Sequence, residues 1–238
     1  MLKAFALCLL LVSASLQAQP SLHTDLPLNY LAHADEQASN RPLVIFLHGS
    51  GSNEADLFEL KDELPGHYNY LSVRAPKVME PGHYQWFAKK GEGAYDGDTS
   101  DLKASGQMLL DFIDKARAKY QADASRVYLV GFSQGAMMSY EVALRHPEAV
   151  GGIAAMGGRV LPVLRAELTP AEPRRALAVF IGHGTIDPII PYRDGTEADS
   201  FLKTLALEPE FHGYPGVGHQ ISAMEVQDLR AWLERLNP

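Results

Sequence analysis

Cysteine is almost missing from this chain of 238 residues: the single one, Cys8, lies within the first twenty positions. Once that stretch is removed, no disulfide can form and no cysteine can act as nucleophile, which sets aside the disulfide-stapled extracellular modules. Basic charge is also scarce. Lys and Arg number 21 against 29 Asp and Glu, a formal net charge of −8, so a nucleic-acid backbone or an anionic membrane would repel the chain. Metal-ligand spacing is lacking too. His23, His33, His67, His83, His146 and His212 are scattered, and no His-Glu-x-x-His occurs. After the leader no apolar run is long enough to cross a bilayer, and there are no repeats, low-complexity tracts or linkers.

The leader has its own logic. Met1-Leu2-Lys3 gives a positive start, residues 4–16 are an almost unbroken apolar run, and Ala18 precedes Gln19-Pro20. This pattern reads as a secretory signal peptide over 1–18, too short to span a bilayer comfortably, followed by one domain over 19–238. Cys8 lacks the small-residue context of a lipoprotein cleavage site. The expectation is an exported bacterial protein, periplasmic or secreted, with no stable membrane insertion after cleavage. With 46% hydrophobic and 21% charged residues, the remainder has ordinary globular composition.

What the chain does contain is organised around residues 127–147. A β-branched and aromatic run at 127–130 reads as a buried strand. Gly131-Phe132-Ser133-Gln134-Gly135 follows, then a helical pattern over 136–146 that stops at Pro147. Strand, Gly-x-Ser-x-Gly and helix form the context of a nucleophile elbow, which makes Ser133 the candidate nucleophile. The pentapeptide alone is weak, because turns use both glycine and serine. The rest of the chain must decide.

Buried strands are expected at 42–47, 70–74, 150–156 and 176–181, with an edge strand near 28–32 and a short last strand at 210–214. Helices are expected from Asn53 to about 64, over 100–120, weakly over 161–169, over 192–207 and over 224–236. Residues 75–97 read as a long irregular stretch. Leu102, Met108, Leu109, Phe112, Ile113 and Ala116 form the apolar stripe of the 100–120 helix. The alternation predicts an α/β fold, a doubly wound and mostly parallel sheet with helices on both faces and no large lid domain.

Three strand ends carry reactive residues in the order Ser133, Asp187, His219. Asp187 stands in a Gly- and Pro-rich loop, His219 in Pro215-Gly216-Val217-Gly218-His219, and all three would project from one edge of the sheet. A serine hydroxyl needs an imidazole to take its proton, and the imidazole needs a carboxylate to orient it. Such a base implies turnover that rises with pH through the range where imidazole deprotonates. Asp194, Asp96 and Asp98 are rival acids that rank below Asp187, and His183 reads as part of a strand-end turn. The loop His48-Gly49-Ser50-Gly51 lacks the third glycine of a dinucleotide fingerprint, since Glu54 stands there. It fits an oxyanion loop instead, with the amide of Ser50 paired to that of Gln134 and His48 bracing the turn.

Taken together, Leu47-His48-Gly49-Ser50-Gly51, Gly131-Phe132-Ser133-Gln134-Gly135, His183-Gly184-Thr185-x-Asp187-Pro188-x-x-Pro191 and Tyr214-Pro215-Gly216-x-Gly218-His219 resemble the phospholipase/carboxylesterase family of α/β-hydrolases. The resemblance covers nearly all of the chain after the leader. It implies a serine carboxylesterase for short- to medium-chain acyl esters, acting through an acyl-enzyme without metal or cofactor. It also implies Ser133, Asp187 and His219 as the triad, the amides of Ser50 and Gln134 as the oxyanion hole, and Trp86-Phe87 as lining of a substrate pocket. Family members are mostly cytoplasmic, and the leader departs from that pattern. Two alternatives stand beside this reading: a secreted esterase for aromatic esters, polyesters or dienelactone-type substrates, and a non-catalytic binding protein on the same fold.

Overall fold

Residues 20–37, 39–90, 96–170 and 177–238 are described by the computed structural model, so the leader expected at 1–18 lies outside the described residues, as do Tyr95 and the side chain of Asp96. In chain order come Tyr30–His33 (β1), Leu43–Leu47 (β2), Asn69–Val73 (β3), Lys77–Glu80 (β4), His83–Gln85 (β5), Lys89–Lys90 (β6) and Asp96–Gly97 (β7). Thr99–Lys119 (α1), Val127–Phe132 (β8), Gln134–Arg145 (α2), Gly152–Met156 (β9) and Pro162–Glu167 (α3) follow. Ala178–Gly184 (β10), Tyr192–Thr204 (α4), Glu210–Tyr214 (β11) and Ala223–Leu236 (α5) complete the order.

Among the described residues, seven strands form one sheet in the order β1-β3-β2-β8-β9-β10-β11. Every pairing is parallel except that of β1 with β3. The central strands are apolar throughout because both faces are covered. In β2, Leu43, Ile45 and Leu47 face one layer while Val44 and Phe46 face the other. In β8, Val127 and Leu129 divide from Tyr128 and Val130 in the same way. The first layer holds α1, α2, α3 and α4; the second holds α5, through Val226, Leu229, Trp232 and Leu233, together with Leu57 and Leu64. Each such side chain, fully buried, stabilises the fold by about 1.5–3 kcal/mol relative to exposure.

Three expectations need correction. The helix foreseen from Asn53 is a series of turns with a short 3₁₀ helix at Phe58–Asp62. Two long-range bonds pull the segment off helical geometry: Asn53 Nδ2 donates to Gly82 O at 3.0 Å, and Glu54 takes a two-pronged bond from Arg74. Asn53 Oδ1 closes a local turn on the Ala55 amide instead of capping a helix. Residues 75–90 are not irregular either, because β4 pairs antiparallel with β5, and β6 antiparallel with β7. Met108 is 37% exposed and does not belong to the core stripe. At 100° per residue it is turned away from Leu109, which is fully buried. Asp98, a rival acid in sequence, is the N-cap of α1 and accepts from the amides of Ser100 and Asp101.

Candidate active site

The turn between β8 and α2 is strained at one residue. Ser133 has φ 54° and ψ −114°, a conformation that a residue with a side chain adopts at a cost of about 1–3 kcal/mol. Its neighbours explain how the strain is held. A Cβ on Gly131 would run into the backbone of Gly135, and one on Gly135 would run into the carbonyl of Leu47. Only glycine at both positions lets α2 start so close to β2 and β8. The Ser133 amide is fixed to Met156 O at 2.9 Å, which ties the turn to β9.

The other two reactive residues reach the same edge from β10 and β11. Asp187 follows β10, and His219 lies in the loop after β11. The two loops are stitched together by Ile186 N–H to Val217 O at 3.1 Å, Thr185 N–H to Tyr214 O at 3.0 Å and Gly216 N–H to Thr185 Oγ1 at 3.0 Å. His219 Nδ1 donates to Asp187 Oδ2 at 2.7 Å, and Nε2 lies 2.9 Å from Ser133 Oγ. Because a carboxylate only accepts, Nδ1 carries the proton and Nε2 presents its lone pair to the hydroxyl. Asp187 Oδ1 accepts from the amides of Ile189 at 2.8 Å and Ile190 at 2.9 Å, so a carboxylate 1% exposed is fully bonded. The ring of Phe132, 4.8 Å away, packs on the imidazole. Chemically, this arrangement can deprotonate the Ser133 hydroxyl and hold the positive charge that results.

Gly49 of the expected oxyanion loop lies directly against Ser133, the place for its Cβ being 3.3 Å from Ser133 Cβ. The loop is clamped by β5: Gly51 N–H donates to Tyr84 O and Tyr84 N–H to Ser52 O, both at 2.8 Å. His48 braces the turn as foreseen. Its Nε2 accepts from the Ala75 amide at 3.0 Å, so Nδ1 is the donor to Gly49 O at 2.7 Å. Burial pushes the His48 imidazole below its ordinary value, which keeps this tautomer neutral.

Trp86 and Phe87 do not line a pocket. Both are fully buried, and the Trp86 indole N–H donates to His48 O at 3.0 Å. They are held by a side chain whose role sequence reasoning missed. Gln134, also fully buried, accepts from Trp86 N–H through Oε1 and donates to Phe87 O through Nε2, both at 2.7 Å. Ser105 Oγ donates to Trp86 O. Gln134 thus grips the 86–87 backbone as a neighbouring strand would, and the Trp86 indole carries that grip to the loop at His48.

Two other residues weighed in the sequence take structural places. His183 is 1% exposed on β10, with Nε2 donating to Ile190 O at 2.8 Å and lying 3.7 Å from Asp187 Oδ2. It backs the acid loop instead of lying in a loose turn. Asp194, another rival acid, sits in the first turn of α4, 3.9 Å from Arg159 Nε. Exposed Met79 on β4, its Sδ 3.7 Å from Ser50 Oγ, and exposed Ile186 and Ile189 flanking Asp187 in the chain add apolar surface near these residues. Beneath the His219 loop, Glu225 accepts from the Ser222 amide, while its Oε1 fills the space left by Gly182 and has no partner. Burial pushes its carboxyl up to about 8. Among the described residues, no group of three or more His, Cys, Asp or Glu could hold a metal ion, and no helix is long and apolar enough to cross a membrane.

A strained serine elbow at the carboxyl edge of a doubly wound sheet defines the α/β-hydrolase class of serine hydrolases. The chain belongs to the phospholipase/carboxylesterase family, whose sequence profile matches residues 29–237. It is 30% identical over 222 residues to acyl-protein thioesterase 1 of Mycosarcoma maydis, covering 82% of this chain and 91% of that one. Among solved structures it is similar to the Bacillus cereus carboxylesterase, with a TM-score of 0.76 at 26% identity over 88% of this chain and 94% of that one. Esterase PE8 is similar too, with a TM-score of 0.75 at 27% identity over 86% and 97% of the respective chains. The protein is therefore a hydrolase of the carboxylesterase and thioesterase type.

Proposed function

We propose that the protein is an exported serine carboxylesterase that hydrolyses short- to medium-chain acyl esters through a Ser133-His219-Asp187 triad. The observation that carries this reading is one continuous path: Ser133 Oγ to His219 Nε2 at 2.9 Å, and His219 Nδ1 to Asp187 Oδ2 at 2.7 Å. As Ser133 Oγ bonds to the ester carbon, its proton passes to His219 Nε2, and Asp187 offsets the charge on the imidazolium. The amides of Ser50 and Gln134 receive the negative charge on the carbonyl oxygen. Collapse expels the alcohol with the proton from Nε2. Water, activated by the same nitrogen, then releases the acid from Ser133. Met79, Ile186 and Ile189 supply apolar surface for a short acyl chain. The composition of residues 1–18 supports export.

Turnover of p-nitrophenyl butyrate by Ser133→Ala is the test. Complete loss in a variant whose unfolding curve matches the parent supports the reading; retention of most activity overturns it. For export, N-terminal sequencing of protein recovered from a bacterial periplasm should begin at Gln19, and recovery of the uncut chain from the cytoplasm contradicts it.

A further inference from the structure

Among the described residues, a cation close in the chain to the wall of the site makes no hydrogen bond. Gly157 packs on His219, the place for a Cβ being 3.6 Å from Cε1 and 3.7 Å from Nδ1, while a Cβ on Gly158 would meet Ala136 Cβ at 2.5 Å and the Ser133 carbonyl oxygen at 3.3 Å. Gly157 borders the site, and Arg159 stands two residues further on. Its side chain is only 13% exposed, and its Nε is buried without a hydrogen-bond partner. Among the described residues the guanidinium makes no hydrogen bond, and the one acid within 4.0 Å is Asp194, at 3.9 Å from Nε.

Three other partly buried arginines are engaged, whereas Arg117 shares the lack of a hydrogen bond and lies 3.6 Å from Asp114. Arg74 takes both oxygens of Glu54, Arg145 binds Glu141 and Glu167, and Arg165 donates to Val160 O. Arg159 differs from all three. Asp194 is also a poor partner for it, since 3.9 Å exceeds hydrogen-bond reach and the positive end of α4 already offsets an acid in its first turn.

A guanidinium carries five N–H donors in a planar fork that matches a carboxylate two bonds at a time. Partly desolvated and unmatched, it destabilises the empty site, and a bound anion would relieve that penalty. The setting sharpens the argument. The chain carries a net charge of −8 and would otherwise turn anions away, while Ile186 and Ile189 expose apolar surface on the neighbouring acid loop.

We propose that Arg159 determines specificity by reading a carboxylate on the substrate, so that monoanionic esters are preferred over neutral ones of the same shape. This rests on the reading of Ser133 as nucleophile, and the chemical steps at the ester are unchanged. The carboxylate is carried either on the acyl half, as in a half-ester of a dicarboxylic acid, or on the alcohol half, as in an acylated hydroxy acid. Both offer Arg159 the same group.

Two matched pairs of esters test this with the wild type, Arg159→Gln and Arg159→Lys. Monoethyl succinate is compared with ethyl butyrate, and 4-acetoxybenzoate with 4-methylphenyl acetate, each followed by titration of released acid. The wild type is expected to favour the anionic member of one pair, mainly through KM. Arg159→Gln is expected to lower the anionic-to-neutral ratio of kcat/KM roughly tenfold or more, the scale of one charge-assisted hydrogen bond, and Arg159→Lys to restore part of it. A fall confined to the succinate pair places the carboxylate on the acyl half, and a fall confined to the benzoate pair places it on the alcohol half. The proposal is overturned if the wild type shows no anionic preference. It is equally overturned if Arg159→Gln lowers both members of each pair alike, as a purely structural tie to α4 would. Failure of the wild type to hydrolyse any of the four esters would instead sink the Ser133 reading.

Discussion

Substituting Gln134→Met separates the grip on Trp86 from everything else at the elbow. The side chain is fully buried, and its amide makes two bonds of 2.7 Å, one from Trp86 N–H and one to Phe87 O. Methionine has nearly the same length and volume, so little cavity is created. What is lost is polar: the Trp86 N–H is stranded in the core at about 1–3 kcal/mol, and the second bond adds about 1 kcal/mol. The expected destabilisation is therefore about 2–4 kcal/mol. Because Trp86 also holds His48 O through its indole, the amides of Ser50 and Gln134, proposed as the oxyanion hole, should lose their mutual alignment. Removing one oxyanion donor outright costs about 10²–10³ in kcat, so a misaligned one is expected to cost roughly 10- to 100-fold, with little change in KM. Urea unfolding gives the first number. The chain has two tryptophans, so a Trp232→Phe background leaves Trp86 as the reporter. A stability loss under about 1 kcal/mol with unchanged Trp86 emission would refute the grip, being below the loss of one buried donor. The full stability loss with unchanged kcat would refute its link to the oxyanion hole.

Gly135→Ala should fold poorly or not at all, since its Cβ meets the Leu47 carbonyl, and an unfolding midpoint equal to the parent's would contradict the packing described for the elbow. Glu225 makes stability depend on pH. Its folded carboxyl titrates at about 8 against 4.5 when exposed, so the folded state holds the proton more tightly between those values. Stability should therefore be highest below pH 4.5 as far as this group is concerned, and should fall by a few kcal/mol as pH rises through about 8. Glu225→Gln should flatten that slope and be the more stable protein on the alkaline side; parallel slopes in thermal midpoints against pH would count against a buried neutral acid. His183→Gln, which keeps a donor for Ile190 O, should retain most of kcat, whereas His183→Leu should lower kcat with KM nearly unchanged. Equal activity in the two variants would show that His183 does not position Asp187.

The catalytic candidates were legible because each is a reactive type set in a Gly- or Pro-rich turn at a strand end. Ser133, Asp187 and His219 could be matched to one sheet edge from the strand pattern alone. Trp86 and Phe87 were not legible in the same way. An aromatic pair on a loop looks like pocket lining until Gln134, Ser105 and His48, all distant in sequence, are seen to hold it inside. The stretch after Asn53 has helical composition, yet the Glu54–Arg74 bonds override it. Met108 shows the limit of reading a stripe residue by residue, because an apolar side chain next to a core position need not share its face. Arg159 could not be found in sequence at all, since its distinguishing property is the partners that its neighbours fail to provide.

Mass spectrometry of the protein after brief exposure to a fluorophosphonate ester tests the central claim most directly. The reagent forms a stable bond only with a serine whose proton a neighbouring base removes. A single adduct on the peptide containing Ser133, lost in His219→Ala at neutral pH, is the predicted result. An unlabelled protein, or an adduct on a different serine, would contradict the account.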